Sequence, residues 1–188
     1  MSDAMKNGGG KQAGTKKMAV FKGFSAKTIA FTGIFTALIA VTTMLNIPAP
    51  GGGYIHVGDA VIFLACLALP LPCAVLAAGV GSMLSDWLLG YMQYVLPTLI
   101  VKAVMAIIVC LLAKNSGKKL KLAAVFLAAS AFMQAAYFVY ELFLNDFQTP
   151  GGILHVLTGL LQTVFSVPLG LLLADYFKVK NYFNIKLK

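Results

Sequence analysis

The chain has 188 residues, of which 60% are hydrophobic, and its mean hydropathy is +0.86. These values are typical of a membrane protein that forms one compact domain. The formal net charge of +9 comes from lysine alone, and no soluble arginine-bearing surface is evident, which argues against a nucleic-acid-binding protein. Lysine-rich cytoplasmic flanks of a membrane protein explain the same charge.

Six apolar stretches follow a polar N-terminal segment rich in lysine and glycine. A helix needs about 20 apolar residues to cross a bilayer core of about 30 Å. The stretches are residues 28–45, 60–69, 73–89, 95–113, 122–144 and 153–177. We therefore predict an all-α integral membrane protein with six transmembrane helices in a domain of residues 26–178. Residues 1–25 are expected to be a disordered basic cytoplasmic tail, and residues 179–188 a short basic cytoplasmic tail.

The second apolar stretch is short for a full crossing. Pro70 and Pro72 separate it from the third stretch, because proline interrupts a helix. The second helix is therefore tilted, extended by residues 55–59 or packed inside the bundle, and the sequence leaves these alternatives open.

Lysine is distributed asymmetrically around the six stretches. Six lysines precede the first, four lie between the fourth and fifth, and four follow the last. These regions share one side of the membrane if the chain crosses it six times. The opposite side has no lysine but carries four acidic residues at or near the helix ends, Asp59, Asp86, Glu141 and Asp146. The positive-inside rule then predicts cytoplasmic termini in the plasma membrane and an extracellular loop at residues 51–59.

The first predicted helix carries a stripe of small residues, which begins at Ala26. Small side chains let another helix approach closely, so we expect Ala30, Gly33 and Ala37 to form a docking face. The spacing does not decide whether the neighbour belongs to the same chain or to another protein.

The loop at residues 51–59 is too polar for a lipid-facing wall and too rich in glycine for a helix. It carries His56 and Asp59. These two side chains either bind a ligand or anchor the loop.

Aromatic residues follow an acidic residue, Asp86, at the end of the third helix. Trp87, Tyr91 and Tyr94 share one face if the helix continues. Trp87 and Tyr91 would then stack on a flat ring, with Asp86 beside them. An aromatic belt at the membrane interface is the alternative for Tyr91 and Tyr94.

Lys102 lies inside the fourth apolar stretch, where a charge is costly. It forms a structural ion pair with Asp86 or Glu141, extends to the interface, or contacts a ligand.

Polar residues recur along the last two helices. On the fifth, Gln134, Tyr137, Glu141 and Asn145 share one face, which suits a wet cavity; hydrogen bonding between helices is the alternative. On the sixth, we expect His155 and Gln162 to reach the same cavity.

The order of these features resembles the substrate-binding S components of energy-coupling factor (ECF) vitamin transporters. The resemblance covers about residues 26–177, and one departure is Gly33 where the family often has alanine. Besides the small-residue first helix, it rests on residues 50–59 with Gly52-Gly53 and His56-Val57-Gly58-Asp59, on Gly81-Ser82…Asp86…Gly90-Tyr91, and on Pro97-Thr98…Lys102.

This resemblance implies a substrate-binding subunit of an ATP-driven importer rather than an enzyme. A transmembrane coupling subunit and two cytoplasmic ATPases would be its partners, with the first helix meeting the coupling subunit and the loop after it acting as a lid. The sequence has no GxxxxGK[ST] phosphate-binding loop, so ATP hydrolysis is assigned to the partners. We expect no cofactor and no metal.

A pocket with aromatic walls and a few polar groups suits a small, polar aromatic ring. Pyridoxine or the hydroxymethylpyrimidine precursor of thiamin fits best, with riboflavin and pantothenate next. Two other functions remain as alternatives. One is a stand-alone carrier, and the other is a membrane-embedded enzyme that uses His56, Asp59, Asp86, Glu141 and His155 as metal ligands or acid–base groups.

Overall fold

Six helices make up most of the computed structural model, which describes residues 25–48, 54–113, 119–144 and 149–176. They are α1 (Ala26–Met44), α2 (Gly58–Ala68), α3 (Leu71–Leu88), α4 (Val95–Ala113), α5 (Lys119–Leu144) and α6 (Thr149–Tyr176). Five of the described helices are long and apolar enough to cross a membrane, and α2 is a shorter apolar helix. The predicted helical, multi-pass membrane fold is thereby confirmed. Both tails beyond Ser25 and Tyr176, loop residues 51–53 and Asn145 lie outside the described residues.

The short helix α2 lies inside the bundle. All of its eleven residues except Leu67 are buried, and it contacts α1, α3, α4 and α6. Of the three alternatives for the second apolar stretch, packing inside the bundle is the one observed. An interior helix can be this short because it does not have to match the bilayer thickness.

A two-stranded antiparallel hairpin, which the sequence pattern did not predict, leads from α1 to α2. Its strands are β1 (Asn46–Pro48) and β2 (Tyr54–His56), and Ile47 pairs with Ile55. The expectation of a loop across residues 51–59 is therefore wrong from Tyr54 onward, where the chain is strand and then helix. Pairing the two strands satisfies backbone groups that an irregular loop would leave exposed close to the membrane.

Gly58 starts α2 at a point where α1 comes very close. A Cβ atom at this position would lie 2.2 Å from Thr43 Oγ1 of α1 and 2.9 Å from His56 Nδ1. Glycine thus lets the hairpin turn directly into the buried helix.

The long helices pack in sequence around α2. Helix α3 contacts both α1 and α4, and α5 contacts α4 and α6. Where α1 crosses α3, a Cβ atom on Gly81 would lie 2.8 Å from the Thr36 carbonyl oxygen, and the Ser85 hydroxyl lies 3.1 Å from the Ala40 carbonyl oxygen. The face of α1 that meets α3 is therefore closely packed.

An ion pair marks one end of the bundle. Lys119 at the start of α5 pairs with Asp175 near the end of α6, and both side chains are exposed. The hairpin, the end of α3 and the starts of α4 and α6 lie at the other end.

Candidate functional site

A cavity of about 510 Å³, including the space open at its mouth, lies at the hairpin end of the bundle. The hairpin, α3, α4, α5 and α6 all contribute to it. Its lining residues are Tyr54, His56, Asp86, Tyr94, Thr98, Lys102, Met133, Gln134, Tyr137, Thr158, Gly159 and Gln162.

Asp86 brings a buried carboxylate to the cavity from the end of α3. Its residue exposure is 2%, and Oδ1 accepts a hydrogen bond from the Tyr54 hydroxyl of β2. Oδ2 is buried as well, and it has no hydrogen-bond partner of good geometry among the described residues. The Thr98 side chain of α4 also interacts with the carboxylate. Because a carboxylate can accept about four hydrogen bonds, it keeps capacity for a donor on a bound molecule.

Asp59 of α2 lies behind the cavity wall, where it joins two lining residues. Its Oδ1 forms an ion pair with Lys102 of α4, and its Oδ2 accepts a hydrogen bond of 2.6 Å from Gln162 Nε2 of α6. The sequence predicted Asp86 or Glu141 as the partner of Lys102, which is wrong. Because α2 is packed inside the bundle against α4, its carboxylate is the one that reaches the lysine.

His56 lines the cavity as a buried, neutral imidazole. Burial, together with the charge on Lys102, lowers its pKa to about 4, against the opposing effect of Asp59. Its Nδ1 accepts a hydrogen bond of 3.0 Å from the Gly58 backbone N–H. The neutral ring therefore carries its proton on Nε2.

The polar stripe of α5 faces inward, as the spacing predicted. Gln134, Tyr137 and Glu141 are all buried, and the first two line the cavity. The Tyr137 hydroxyl donates a 2.9 Å hydrogen bond to Thr98 Oγ1, and Glu141 accepts a hydrogen bond from the Tyr94 hydroxyl. Glu141 thus holds a lining tyrosine and is not itself part of the lining.

The aromatic residues after Asp86 do not share one helical face, because α3 ends at Leu88. Gly90 adopts a positive φ of 82°, which terminates the helix and turns the chain into a 3-10 turn. The Trp87 side chain is 55% exposed and is not among the lining residues, whereas Tyr94 is 8% exposed and lines the cavity. Tyr91 lies between them, with its ring 5.1 Å from that of Tyr54. The prediction of one continuous face is therefore wrong.

The predicted site residues fall into three groups. Six line the cavity: His56, Asp86, Lys102, Gln134, Tyr137 and Gln162. Three support lining residues from behind or beside them: Asp59, Tyr91 and Glu141. Trp87 lies outside the cavity, Asn145 is outside the described residues, and His155 belongs to α6 but its side chain is not described.

Several lining residues were not assigned to the site from the sequence. Two helical signals were present, since Tyr94 and Thr98 precede Lys102 at steps of four residues, and Thr158 precedes Gln162 at the same step. Tyr54 alternates with His56, which is a strand signal that the expectation of a loop concealed. Met133 and Gly159 carry no polar side chain that would have singled them out.

The small-residue stripe of α1 points away from the bundle. Ala30, Gly33 and Ala37 are exposed, and a Cβ atom on Gly33 would have no neighbouring atom within 4 Å in the described structure. Its packing against a helix of the same chain, which the spacing left open, is not observed among the described residues.

Comparison with known families matches residues 23–179 to the family described as ECF-type riboflavin transporter, S component. No curated protein matches the chain. The match spans the hairpin, all six helices and every described residue of the cavity. The chain therefore belongs to the ECF-type riboflavin transporter S component family, whose members are substrate-binding membrane subunits of vitamin transporters.

Proposed function

We propose that the chain captures a neutral, flat nitrogen heterocycle, a vitamin or a vitamin precursor, in this cavity. Pyridoxine and hydroxymethylpyrimidine are the preferred ligands, and riboflavin, which the family description names, is the next candidate. The observation that carries the proposal is the buried Asp86 carboxylate in a cavity with tyrosine walls, because its Oδ2 makes no hydrogen bond of good geometry to any described residue. A ring that donates an N–H or O–H group to this oxygen would satisfy it.

The aromatic lining favours a flat ring. Tyr54, Tyr94 and Tyr137 come from the hairpin, from the turn before α4 and from α5, so they supply rings from three directions. Aromatic side chains stack or pack edge-on against flat ligands and add about 0.5–1.5 kcal/mol for a pair beyond the area that they bury.

The charges of the site disfavour an anionic ligand. Lys102 is the cationic side chain of the described lining, and it is already paired with Asp59, whereas Asp86 presents a carboxylate oxygen. The carboxylate of pantothenate would therefore meet repulsion from Asp86 without a free positive charge to offset it. Pantothenate accordingly ranks last among the four candidates.

Uptake from outside requires that the cavity opens on the extracellular side, and we place the hairpin there. The lysine distribution supports this orientation, with both termini in the cytoplasm of a cell whose plasma membrane holds the protein. The cavity lies at the hairpin end of the bundle, away from the Lys119–Asp175 pair on the lysine-rich side.

Delivery to the cytoplasm requires partners, and α1 offers the surface for one of them. The exposed Ala30, Gly33 and Ala37 would pack against a helix of a transmembrane coupling subunit, which in turn would bind two cytoplasmic ATPases. Gly33 supports this assignment because the space beside it is open in the described structure.

A binding panel with the purified chain in detergent tests the proposal. Pyridoxine, hydroxymethylpyrimidine, riboflavin and pantothenate are titrated separately by calorimetry. We expect saturable 1:1 binding of at least one of the three neutral heterocycles and no binding of pantothenate. Binding of pantothenate alone, or of none of the four, would contradict the proposal.

A further inference from the structure

We infer that Asp59 is a positioning residue that fixes the hydrogen-bonding polarity of one cavity wall, so that this wall accepts a ring edge bearing hydrogen-bond acceptors. The inference rests on the proposed function and adds a rule of specificity to it. Asp59 is 1% exposed and is not among the lining residues, so it would act through the side chains that it holds.

The orientation of the Gln162 amide follows from the chemistry of its neighbours. A carboxylate can only accept, so the amide group 2.6 Å from Asp59 Oδ2 must be the nitrogen Nε2. The amide oxygen then faces the His56 backbone N–H, 3.4 Å away. A flipped amide would place oxygen against carboxylate oxygen and N–H against N–H. Gln162 therefore keeps one N–H group for the cavity that it lines.

Lys102 is oriented by the same carboxylate. Its ammonium group donates to Asp59 Oδ1 and lies 2.9 Å from Met133 Sδ, which accounts for two of its three N–H groups. The third remains for the cavity. The accepting Nδ1 of His56 leaves the Nε2–H of that ring as a donor too.

The two sides of the site thus differ in polarity. The wall formed by β2, α4 and α6 presents donors from His56, Lys102 and Gln162, while α3 presents the acceptor Asp86 Oδ2. A matching ring has a nitrogen or carbonyl acceptor on one edge and an N–H or O–H donor elsewhere. A ligand of the same shape that lacks this acceptor leaves the buried donors of the wall without hydrogen bonds, and this lowers its affinity.

Moving the carboxylate from residue 59 to residue 162, and the amide the other way, separates the hydrogen-bonding polarity of the wall from the stability of the protein. In the double variant Asp59→Asn/Gln162→Glu, the amide nitrogen of the introduced asparagine donates to the introduced carboxylate, and the asparagine oxygen accepts from Lys102. The introduced glutamate still accepts from the His56 N–H. The net charge and the number of these hydrogen bonds are preserved, while the counterion of Lys102 moves from residue 59 to residue 162. However, residue 162 then offers a carboxylate oxygen instead of an N–H group to the cavity.

We expect the exchanged variant to unfold at a temperature between those of Asp59→Asn and the wild type. Its Kd for the vitamin of the panel that the wild type binds should be at least about tenfold higher. The single variant Asp59→Asn should be less stable than the exchanged variant, because it leaves Gln162 facing a second amide and Lys102 without its counterion. Wild-type affinity in a stably folded exchanged variant would overturn the inference, since Asp59 would then serve stability alone.

Analogues of the ligand test the same rule in the unaltered protein. The C–H counterpart of a ring nitrogen, the benzene analogue of pyridoxine or 5-deazariboflavin, should bind at least about tenfold more weakly than the parent vitamin. Equal affinities would overturn the inference even if the exchanged variant fails to fold. If the wild type binds no vitamin at all, the proposed function fails and the inference fails with it, whereas equal affinities refute the inference alone.

Discussion

Asp59 and Asp86 are both buried carboxylates that the sequence marks as costly in a membrane, yet they have different surroundings. Both oxygens of Asp59 are held by Lys102 and Gln162, whereas Asp86 has one oxygen that makes no hydrogen bond of good geometry among the described residues. Sequence spacing predicts that such groups face inward, but not which group each one meets. That depends on the position of α2 inside the bundle, which a pattern of apolar residues does not reveal.

Replacement of Asp86 by Asn should weaken ligand binding by about tenfold or more. The amide that replaces the carboxylate loses the charge-assisted hydrogen bond to the ligand donor, worth about 1.5–3 kcal/mol. Calorimetry with the vitamin that the wild type binds measures the change. Trp87→Ala is the matched control, because the neighbouring Trp87 is 55% exposed and outside the lining. Equal losses of affinity in both variants would contradict the assignment of Asp86, and not Trp87, to the ligand site.

His56 should make the stability of the protein depend on pH. Its pKa is about 6.5 in the unfolded chain and about 4 in the folded one. As the pH falls below 6.5 the unfolded state binds a proton first, so stability that is fully present above pH 6.5 is lost progressively down to pH 4. The loss amounts to about 3 kcal/mol from this group.

The measurement is thermal unfolding of the wild type and of His56→Gln between pH 7 and pH 4. Glutamine does not titrate, so the wild type should lose stability relative to His56→Gln as the pH falls. A difference that is constant with pH would show that the histidine is not buried as a neutral ring.

At the scale of the elements, long apolar runs predicted the helices well, because a bilayer dictates their length and composition. Their interruptions were harder to predict. The end of α3 depends on the positive φ of Gly90, and the hairpin depends on pairing between residues 46–48 and 54–56. Neither leaves a periodic apolar signal. The helical step from Tyr94 to Lys102 and the alternation of Tyr54 with His56 therefore become informative only once the end of α3 and the hairpin are known.

Adding a single methyl group at Gly58, where the hairpin joins α2, should lower the stability of the protein. In Gly58→Ala, the new Cβ would meet Thr43 Oγ1 at 2.2 Å, so α1 or the hairpin must move. We expect a loss of about 1–3 kcal/mol of stability, as for other overpacked sites, and weaker ligand binding because His56 shifts. Thermal unfolding and calorimetry measure both effects.

Gly33→Ala is the control for that substitution, since its Cβ would enter open space. It should leave ligand affinity unchanged and should not lower stability, because alanine is favoured over glycine in a helix by up to about 1 kcal/mol. A similar loss in both variants would indicate a general sensitivity to alanine at glycine positions instead of a close contact between α1 and α2.

The exposed stripe of α1 should be needed for assembly and not for binding. Gly33→Leu or Ala37→Leu places a bulky side chain where close helix approach is proposed, so co-purification with the coupling subunit should fall while ligand affinity is retained. Val164→Leu on α6 provides the control, because Val164 is 65% exposed and lies outside the stripe. Normal co-purification of both stripe variants would show that the coupling subunit binds elsewhere.

At the scale of the whole molecule, the described lysines outside the bundle interior, Lys27, Lys119 and Lys121, lie at the end opposite the cavity. The hairpin, Asp59, Asp86 and Glu141 gather at the cavity end. The clustering of acidic residues at one end could be predicted from the sequence, because helix number and residue position are both readable from it, and the orientation in the membrane stays a prediction. The ligand could not be named in the same way, since its identity depends on a few hydrogen-bonding atoms brought together from five elements.

The molecule that the purified protein carries is the most direct evidence on which ligand the cavity holds. Native mass spectrometry of the wild-type chain, followed by release and identification of any bound small molecule, should find one neutral nitrogen-heterocyclic vitamin or precursor per chain, with occupancy reduced in Asp86→Asn. An anionic molecule without such a ring, or a heterocycle retained in full by Asp86→Asn, would contradict the account.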